Sequence, residues 1–254
     1  MKSVREITAE IAGFSTLQEI ENCNYKEDSR KGVKDALGKQ RRRIEKEQML
    51  LGKYEEMRRY ERELEPDCSC IAGVDEAGRG PIAGEVVAAA VILPEGFLLP
   101  GLDDSKKLSA KKREAFRDII MREAHVGTGI ADAGEIDDLN IYAASRLAMQ
   151  RAVENLAVGP DHLLVDAMTI GAGVDETAII KGDANSVSIA AASVIAKTTR
   201  DRMMAEYDRL YPGYHFSGNK GYGTKDHLAG LENFGVTPIH RRTFEPVKSL
   251  ILKH

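Results

Sequence analysis

The sequence predicts an α/β protein: a mixed five-stranded sheet flanked by helices, with an N-terminal helical extension and a C-terminal loop and helix region. Three observations predict it. The first 66 residues are dense in Lys, Arg and Glu, with apolar residues at helical spacing. Short apolar runs bounded by Gly and Pro begin after residue 70. Three such runs come in succession and two more alternate with helical stretches, the order of an antiparallel set extended by parallel strands.

Ser3 with Glu6, and Ser15 with Gln18, have capping-box spacing and predict two short helix starts. Val4, Ile7, Ile11 and Phe14 follow at steps of three and four, giving one apolar stripe. Residues 28–64 predict a long, mostly exposed helix or helix pair, with Val33, Leu37, Ile44, Leu51 and Tyr54 as its sparse apolar positions. Glu65-Pro66-Asp67 ends it. Residues 1–66 are therefore expected to be a helical extension and residues 67–254 the main domain. The run Lys39-Gln40-Arg41-Arg42-Arg43 has the charge to touch phosphates, but a charge run on a helix more often reads as a solvated face, and that reading is favoured.

Residues 71–75 form a short apolar run ending at an acid. Residues 85–93 (EVVAAAVIL) form a longer, buried-type run after a loop with Gly and Pro, and the two predict an antiparallel hairpin. Residues 126–131 predict a third strand. Asp137 or Asp138 is placed to cap a helix reaching about Leu156, with Ile141, Ala144, Leu147, Ala148 and Val153 on its buried side. Residues 162–166 (HLLVD) and 177–181 (TAIIK) predict two further strands, and residues 186–210 a strong helix. Residues 211–254 are loop-rich, opened by Tyr211-Pro212-Gly213 and interrupted by Pro238 and Pro246.

Composition narrows the function classes. At 43% hydrophobic and 30% charged residues, the chain of 254 residues reads as an ordinary soluble protein. No apolar stretch approaches the roughly 18 residues of a membrane span, and MKSVREITAE lacks the apolar core of a signal peptide, so a cytoplasmic location is expected. The three cysteines (Cys23, Cys68, Cys70) argue against a disulfide framework and supply too few ligands for a soft-metal site. A formal net charge of −4 is mildly unfavourable for a nucleic-acid binder, but a cluster of metal-binding acids lowers that sum.

Three strand-like runs end at, or just before, an acid: Asp75, Asp166 and Asp183. Ligands of open α/β sheets collect outside the carboxyl ends of the strands. If the first and fourth strands are parallel neighbours, Asp75 and Asp166 sit side by side, roughly 5 Å apart by strand spacing. Bare carboxylates so close raise each other's pKa unless a cation lies between them. Glu76 joins the group only if the strand breaks there, and Ala77-Gly78 supplies such a break. This set suits two-metal phosphoryl transfer with Mg²⁺ or Mn²⁺. No histidine adjoins the acids in sequence, which disfavours zinc.

Asp75-Glu76-Ala77-Gly78-Arg79-Gly80-Pro81 resembles the opening motif of ribonuclease HII. The resemblance continues through Asp104-Ser105-Lys106-Lys107-Leu108, Leu164-Val165-Asp166 and Lys181-Gly182-Asp183. It extends over Ser188-Ile189-Ala190-Ala191-Ala192-Ser193 with Lys197 and Arg200-Asp201, Gly221-Tyr222-Gly223-Thr224 with His227, and His240-Arg241-Arg242. It implies a ribonuclease H-like catalytic domain with a C-terminal substrate-binding region and metal ligands Asp75, Glu76, Asp166 and Asp183. It also implies that Gly78, Arg79 and Gly80, with Tyr222, sense the ribose 2′-OH, and that Lys106, Ser188, Ser193, Lys197 and Arg200 serve the phosphates. Glycines allow close backbone approach to the sugar, and the 2′-OH distinguishes RNA from DNA. Lys197 and Arg200 share a helix face, extended one turn by Ser193. Many members are expected to carry a histidine before Lys220-Gly221-Tyr222; here the residue is Asn219.

The expected reaction is therefore hydrolysis of the RNA strand of RNA–DNA hybrids, and incision of DNA duplexes 5′ to an embedded ribonucleotide, by a monomer using two ions. In-line attack of water would leave a 3′-hydroxyl and a 5′-phosphate. Asp75 is expected between the two ions. Three alternatives stand beside this: a silent nucleic-acid binding module on the same fold, a nucleotide-binding α/β protein, and the sister type HIII ribonuclease. Buried acids facing a polyanion disfavour the first. The second lacks G-x-x-x-x-G-K-[ST]. Asp75–Pro81 together with Lys181-Gly182-Asp183 favours type HII over the third.

Overall fold

The computed structural model describes residues 2–252; the outermost ends of the two expected segments, residue 1 and residues 253–254, lie outside the described residues. The chain divides into two compact units, residues 1–56 and 57–254.

In the first unit, α1 (Val4–Ala12) begins at Ser3, whose hydroxyl and backbone N–H form the expected capping box with Glu6. The second box is displaced by one residue: Thr16, not Ser15, caps α2 (Leu17–Asn22), and its partner is Glu19. A carboxylate at the third helical position accepts from the cap N–H more strongly than the Gln18 amide could. Helix α3 (Lys31–Met57) starts here, and Val33 packs with Ile7 and Ile11 in a small core. The basic run on α3 is not a purely solvated face. Gln40 is buried and donates to Phe14 O at 2.5 Å, and Arg43 Nη2 donates to the same carbonyl at 2.9 Å.

The second unit opens with α4 (Arg59–Leu64), followed by β1 (Ile71–Ala77) and β2 (Val86–Ile92). Helix α5 (Ala110–Glu123) and β3 (His125–Ala131) come next, then α6 (Ala133–Leu139) and α7 (Ile141–Glu154). Strands β4 (His162–Asp166) and β5 (Asp175–Ile179) complete the sheet. Two single-turn segments, α8 (Gly182–Asn185) and α10 (Phe216–Asn219), alternate with the helices α9 (Val187–Leu210), α11 (Lys225–Phe234) and α12 (Val247–Ile251) in the rest of the described chain. No helix among the described residues is long and apolar enough to cross a membrane.

The mixed five-stranded sheet has the order β3-β2-β1-β4-β5. Strands β1, β2 and β3 pair antiparallel, whereas β4 and β5 add in parallel. Ala72, Val74, Leu163 and Val165 pack on one face with Ala144, Ala148 and Ala152 of α7. Leu164 packs on the other face with Ile189 of α9. Helix α9 lies directly on β1: a Cβ at Gly73 would stand 2.0 Å from the Ser188 carbonyl carbon. Only glycine permits that separation.

Three expectations are corrected. The single helix expected from Asp137 or Asp138 is two helices, because Asn140 (φ 74°) breaks the chain and caps α7 by accepting from Tyr142 N and Ala143 N. Asp132 caps α6, and Asp137 instead accepts from Arg242 N, Thr243 N and Thr243 Oγ1. Strand β5 begins and ends two residues earlier than expected, with Lys181 in the left-handed region (φ 55°) after it. Helix α5 was not foreseen, its sequence being polar except for Phe116 and a few aliphatics; Phe116 and Ile120 are its buried residues.

Candidate active site

The parallel register sets the first two acids. Val74 lies opposite Val165, and Asp75 and Asp166 are the next residue on each strand. Alternation places both on the α9 side of the sheet, since Val74 and Val165 face α7. Asp75 is 5% exposed. Burial, then the charges of Glu76 and Asp166, raise its pKa well above the ordinary carboxylate value, against hydrogen bonds from Ser193 and the Glu76 N–H. That N–H donates to Asp75 Oδ1 at 2.7 Å.

Glu76 is reached differently from the expectation. The strand does not break at Glu76 but continues to Ala77, with Glu76 opposite Ala88. Its electrostatic field nevertheless includes Asp166: burial raises its pKa, Arg79 draws it down, and Asp166 pushes it up again. Arg79 Nη1 lies 3.5 Å from Glu76 Oε1. Asp183 is carried by α8, not by a strand end. Gly182 N–H donates to Asp166 Oδ1 at 2.6 Å, which seats α8 beside β4. Burial and the charges of Asp104 and Asp166 push Asp183 up to about 6, against the Lys106 ammonium.

Asp104 is thus a fifth acid of this region, and sequence reading gave it no role. Its signal was its place in Asp104-Ser105-Lys106, two residues before the expected lysine. Burial works against the Lys106 ammonium, but Asp104, Asp75, Asp183 and Asp166 together raise its pKa, so Lys106 stands among the acids. Among the described residues no group of three His, Cys, Asp or Glu side chains is placed to hold a metal ion. The donor chemistry still fits a hard divalent ion: the groups are carboxylates with neither thiolate nor imidazole, and three of them have raised pKa values that a cation would relieve.

The loop after β1 is held from inside by two buried arginines. Gly78 has φ 102°, and a Cβ there would meet Arg200 Nε at 2.2 Å. Arg200 donates to Glu85 O, Ala83 O and Lys220 O at 2.8–3.0 Å. Arg241 donates to Gly78 O, Arg79 O, Pro81 O and Gly84 O. Burial and the neighbouring Arg200 push Arg241 down to about 9, so it remains a cation at neutral pH. Arg200, expected at the phosphates, is 1% exposed and donates to three carbonyls, and it shapes the loop. In sequence Arg241 lies in His240-Arg241-Arg242, and its residue type alone does not announce this inward role.

Tyr222 is half exposed and lies over Gly80, where an added Cβ would be 3.4 Å from its Cε1. Asn219 forms the turn before it, donating to Tyr214 O at 2.7 Å and accepting from Gly221 N at 2.8 Å. Ser188 and Ser193 are buried. Ser188 bonds to Glu61 of α4, while Ser193 donates to Ser105 Oγ at 2.9 Å and stands within hydrogen-bond reach of Asp75. Lys197 pairs with Asp201 at 2.7 Å and stays partly exposed. The structure thus gathers Asp75, Glu76, Asp166, Asp183, Lys106 and Ser193 at one place and Gly78, Arg79, Gly80 and Tyr222 beside Glu76. It sets Ser188 and Arg200 into the interior.

Comparison with known proteins identifies the family. The family model described as Ribonuclease HII matches residues 72–247, and the model described as Ribonuclease HII N-terminal domain matches residues 3–65. The chain is 54% identical to a ribonuclease HII of Enterococcus faecalis, over 90% of this chain and 91% of that protein. It is 51% identical to a ribonuclease HII of Bacillus pumilus, over 99% and 100%. Among solved structures, the ribonuclease H2 of Pyrococcus horikoshii superposes with a TM-score of 0.63 at 27% identity, covering 72% of this chain and 98% of that one. The chain belongs to the ribonuclease HII family.

Proposed function

We propose that the chain cuts DNA duplexes on the 5′ side of an embedded ribonucleotide, as well as the RNA strand of RNA–DNA hybrids, leaving a 3′-hydroxyl and a 5′-phosphate. Membership of the family makes it an endoribonuclease, and its match to the type HII model does not favour the type HIII alternative. One observation carries the finer reading: the acids at the ends of β1 and β4 adjoin a glycine loop over which a half-exposed tyrosine lies. Phosphodiester chemistry and ribose recognition thereby fall next to each other.

Asp75, Glu76, Asp166 and Asp183 would hold two divalent ions, Mg²⁺ or Mn²⁺. Such ions supply charge stabilisation at the phosphate and a nucleophile at neutral pH. The remaining work falls to the chain's own groups. Lys106 brings a positive charge to the acids, where it can meet a phosphate oxygen. Arg79, 43% exposed at its side chain, offers a second cation at the loop. Gly80 leaves room for the sugar beneath Tyr222, whose hydroxyl can bond on the 2′-OH side. Ser193 orients Asp75 by hydrogen bonding, and Lys197 remains available to the duplex backbone.

The test is cleavage of a labelled DNA duplex carrying one ribonucleotide, with Mg²⁺, Mn²⁺ or EDTA, beside an all-DNA control. A metal-dependent cut 5′ to the ribonucleotide, absent from the control, supports the reading. Cleavage of long hybrids alone removes the single-ribonucleotide part of it. No cleavage of either substrate by folded protein overturns it.

A further inference from the structure

His227 and His240 are buried at 0% and 1% exposure, and their Nε2 atoms lie 2.9 Å apart. The bonds at the two ends of the pair determine every proton. The Thr237 backbone N–H can only donate, and it points at His240 Nδ1 at 2.9 Å, where the Thr237 hydroxyl, 2.8 Å away, donates as well. A neutral His240 must then carry its proton on Nε2 and donate it to His227. At the other end, Tyr222 O can only accept, and His227 Nδ1 lies 2.9 Å from it. A neutral His227 with Nδ1–H leaves Nε2 free to accept from His240. One arrangement satisfies every partner, and it runs in one direction from Thr237 to Tyr222. A proton added to either ring would set two N–H groups against each other or against the Thr237 N–H. Burial lowers the pKa of both rings, with His240 further depressed by its partner, so both are neutral at pH 7.

The chain of bonds joins the two halves of the ribose-facing surface. His240 bridges antiparallel to Ala83, and Gly84 N donates to Ile239 O at 2.8 Å, which ties this segment to the glycine loop. His227 holds the carbonyl of Tyr222, whose ring lies over Gly80 in that loop. Phe216 meets His227 edge-on at 5.1 Å and Tyr214 packs against His240 at 5.3 Å, fixing both ring planes. We propose that His227 and His240 are positioning residues for ribonucleotide selection, fixing the Tyr222 main chain relative to the Gly78–Gly80 loop through this directed hydrogen-bond relay. The proposal rests on the reading of Tyr222 as a ribose-facing residue.

The test uses the full chain and the single-ribonucleotide duplex, comparing Tyr222→Ala, His227→Leu, His227→Asn and the double variant Tyr222→Ala/His227→Leu. In His227→Asn the side-chain amide keeps a donor near the Nδ1 position. His227→Leu is expected to lower kcat/KM roughly threefold to tenfold, the loss of one positioning bond. His227→Asn should recover most of that loss, and the double variant should be no worse than Tyr222→Ala. Long-range ¹H–¹⁵N spectra of the wild-type protein should show His227 protonated at Nδ1 and His240 at Nε2. The reverse tautomers would overturn the relay outright. An impaired Tyr222→Ala beside an unimpaired His227→Leu, or a fully additive double variant, overturns the positioning role and leaves the Tyr222 reading intact. An unimpaired Tyr222→Ala overturns the Tyr222 reading and the proposal with it.

Discussion

Glu61 Oε1 accepts from the Ser188 backbone N–H at 3.0 Å and from the Ser188 hydroxyl at 2.7 Å, so a carboxylate of α4 caps the first turn of α9. The Ser186 hydroxyl donates to the same oxygen at 2.5 Å. A buried negative charge at a helix N-terminus is favoured by both the free N–H groups and the helix dipole. Glu61→Leu strands these donors in the interior and is expected to cost about 3 kcal/mol. Glu61→Gln retains a carbonyl acceptor and should cost about half as much. Urea denaturation midpoints of the two variants check the order; equal stability of both with wild type would contradict the cap.

Asp75→Asn should reduce cleavage by at least about 10²-fold, the scale for removing a group that stabilises the reacting charge. The folded protein should persist, because the raised pKa of Asp75 shows that its charge is opposed by burial and by Glu76 and Asp166. Duplex binding by fluorescence anisotropy should remain. Strong residual metal-dependent cleavage would remove Asp75 from the metal-binding set.

His240 provides a pH signature in stability. Its folded pKa, about 4, lies below the ordinary 6.5, so the unfolded chain binds more protons between those values. This group's contribution is therefore fully present above about pH 6.5 and is lost as pH falls towards 4. His240→Gln, which cannot titrate, should show a smaller drop in denaturation midpoint from pH 7 to pH 4.5 than wild type. Parallel drops would mean that His240 is charged within the fold.

Gly78 and Gly80 should respond differently to alanine. At Gly78 the positive φ and a 2.2 Å approach to the Arg200 guanidinium both oppose a side chain, and a loss of roughly 2–4 kcal/mol is expected. At Gly80 the nearest atom is Tyr222 Cε1 at 3.4 Å, an ordinary contact. Gly80→Ala should stay within about 0.5 kcal/mol of wild type, since no mechanism for a larger change is present. It should still raise KM for the single-ribonucleotide duplex, because the methyl occupies the space beneath the tyrosine. Melting temperatures and steady-state kinetics separate the two effects.

The sheet was legible because its strands announce themselves by short apolar runs, and His162–Asp166 was read to the residue. Helix α5 was not, because a solvated helix with two buried residues leaves little periodic signal. The break at Asn140 was hidden for another reason: a residue with positive φ that also caps a helix looks in sequence like an ordinary polar position. At the site, the adjacency of Asp75 and Asp166 was legible only on the condition that the first and fourth strands are parallel neighbours, which the sheet order meets. What did not follow was the inward turn of Arg200 and Ser188. Their residue types suit phosphate contact equally well, and only the fold shows that carbonyls and Glu61 have already claimed them.

Arg241 and the carbonyl of Gly78 that it holds are 163 residues apart. During synthesis at about 5–20 residues per second, roughly 8–33 s pass between the appearance of the loop and the arrival of its clamp. A nascent chain thus carries Asp75 and Glu76 long before it has a formed surface for choosing where they act. The loop proposed to face the ribose is among the early parts of this domain to be made and among the last to be fixed, so on that reading its selectivity depends on residues made much later.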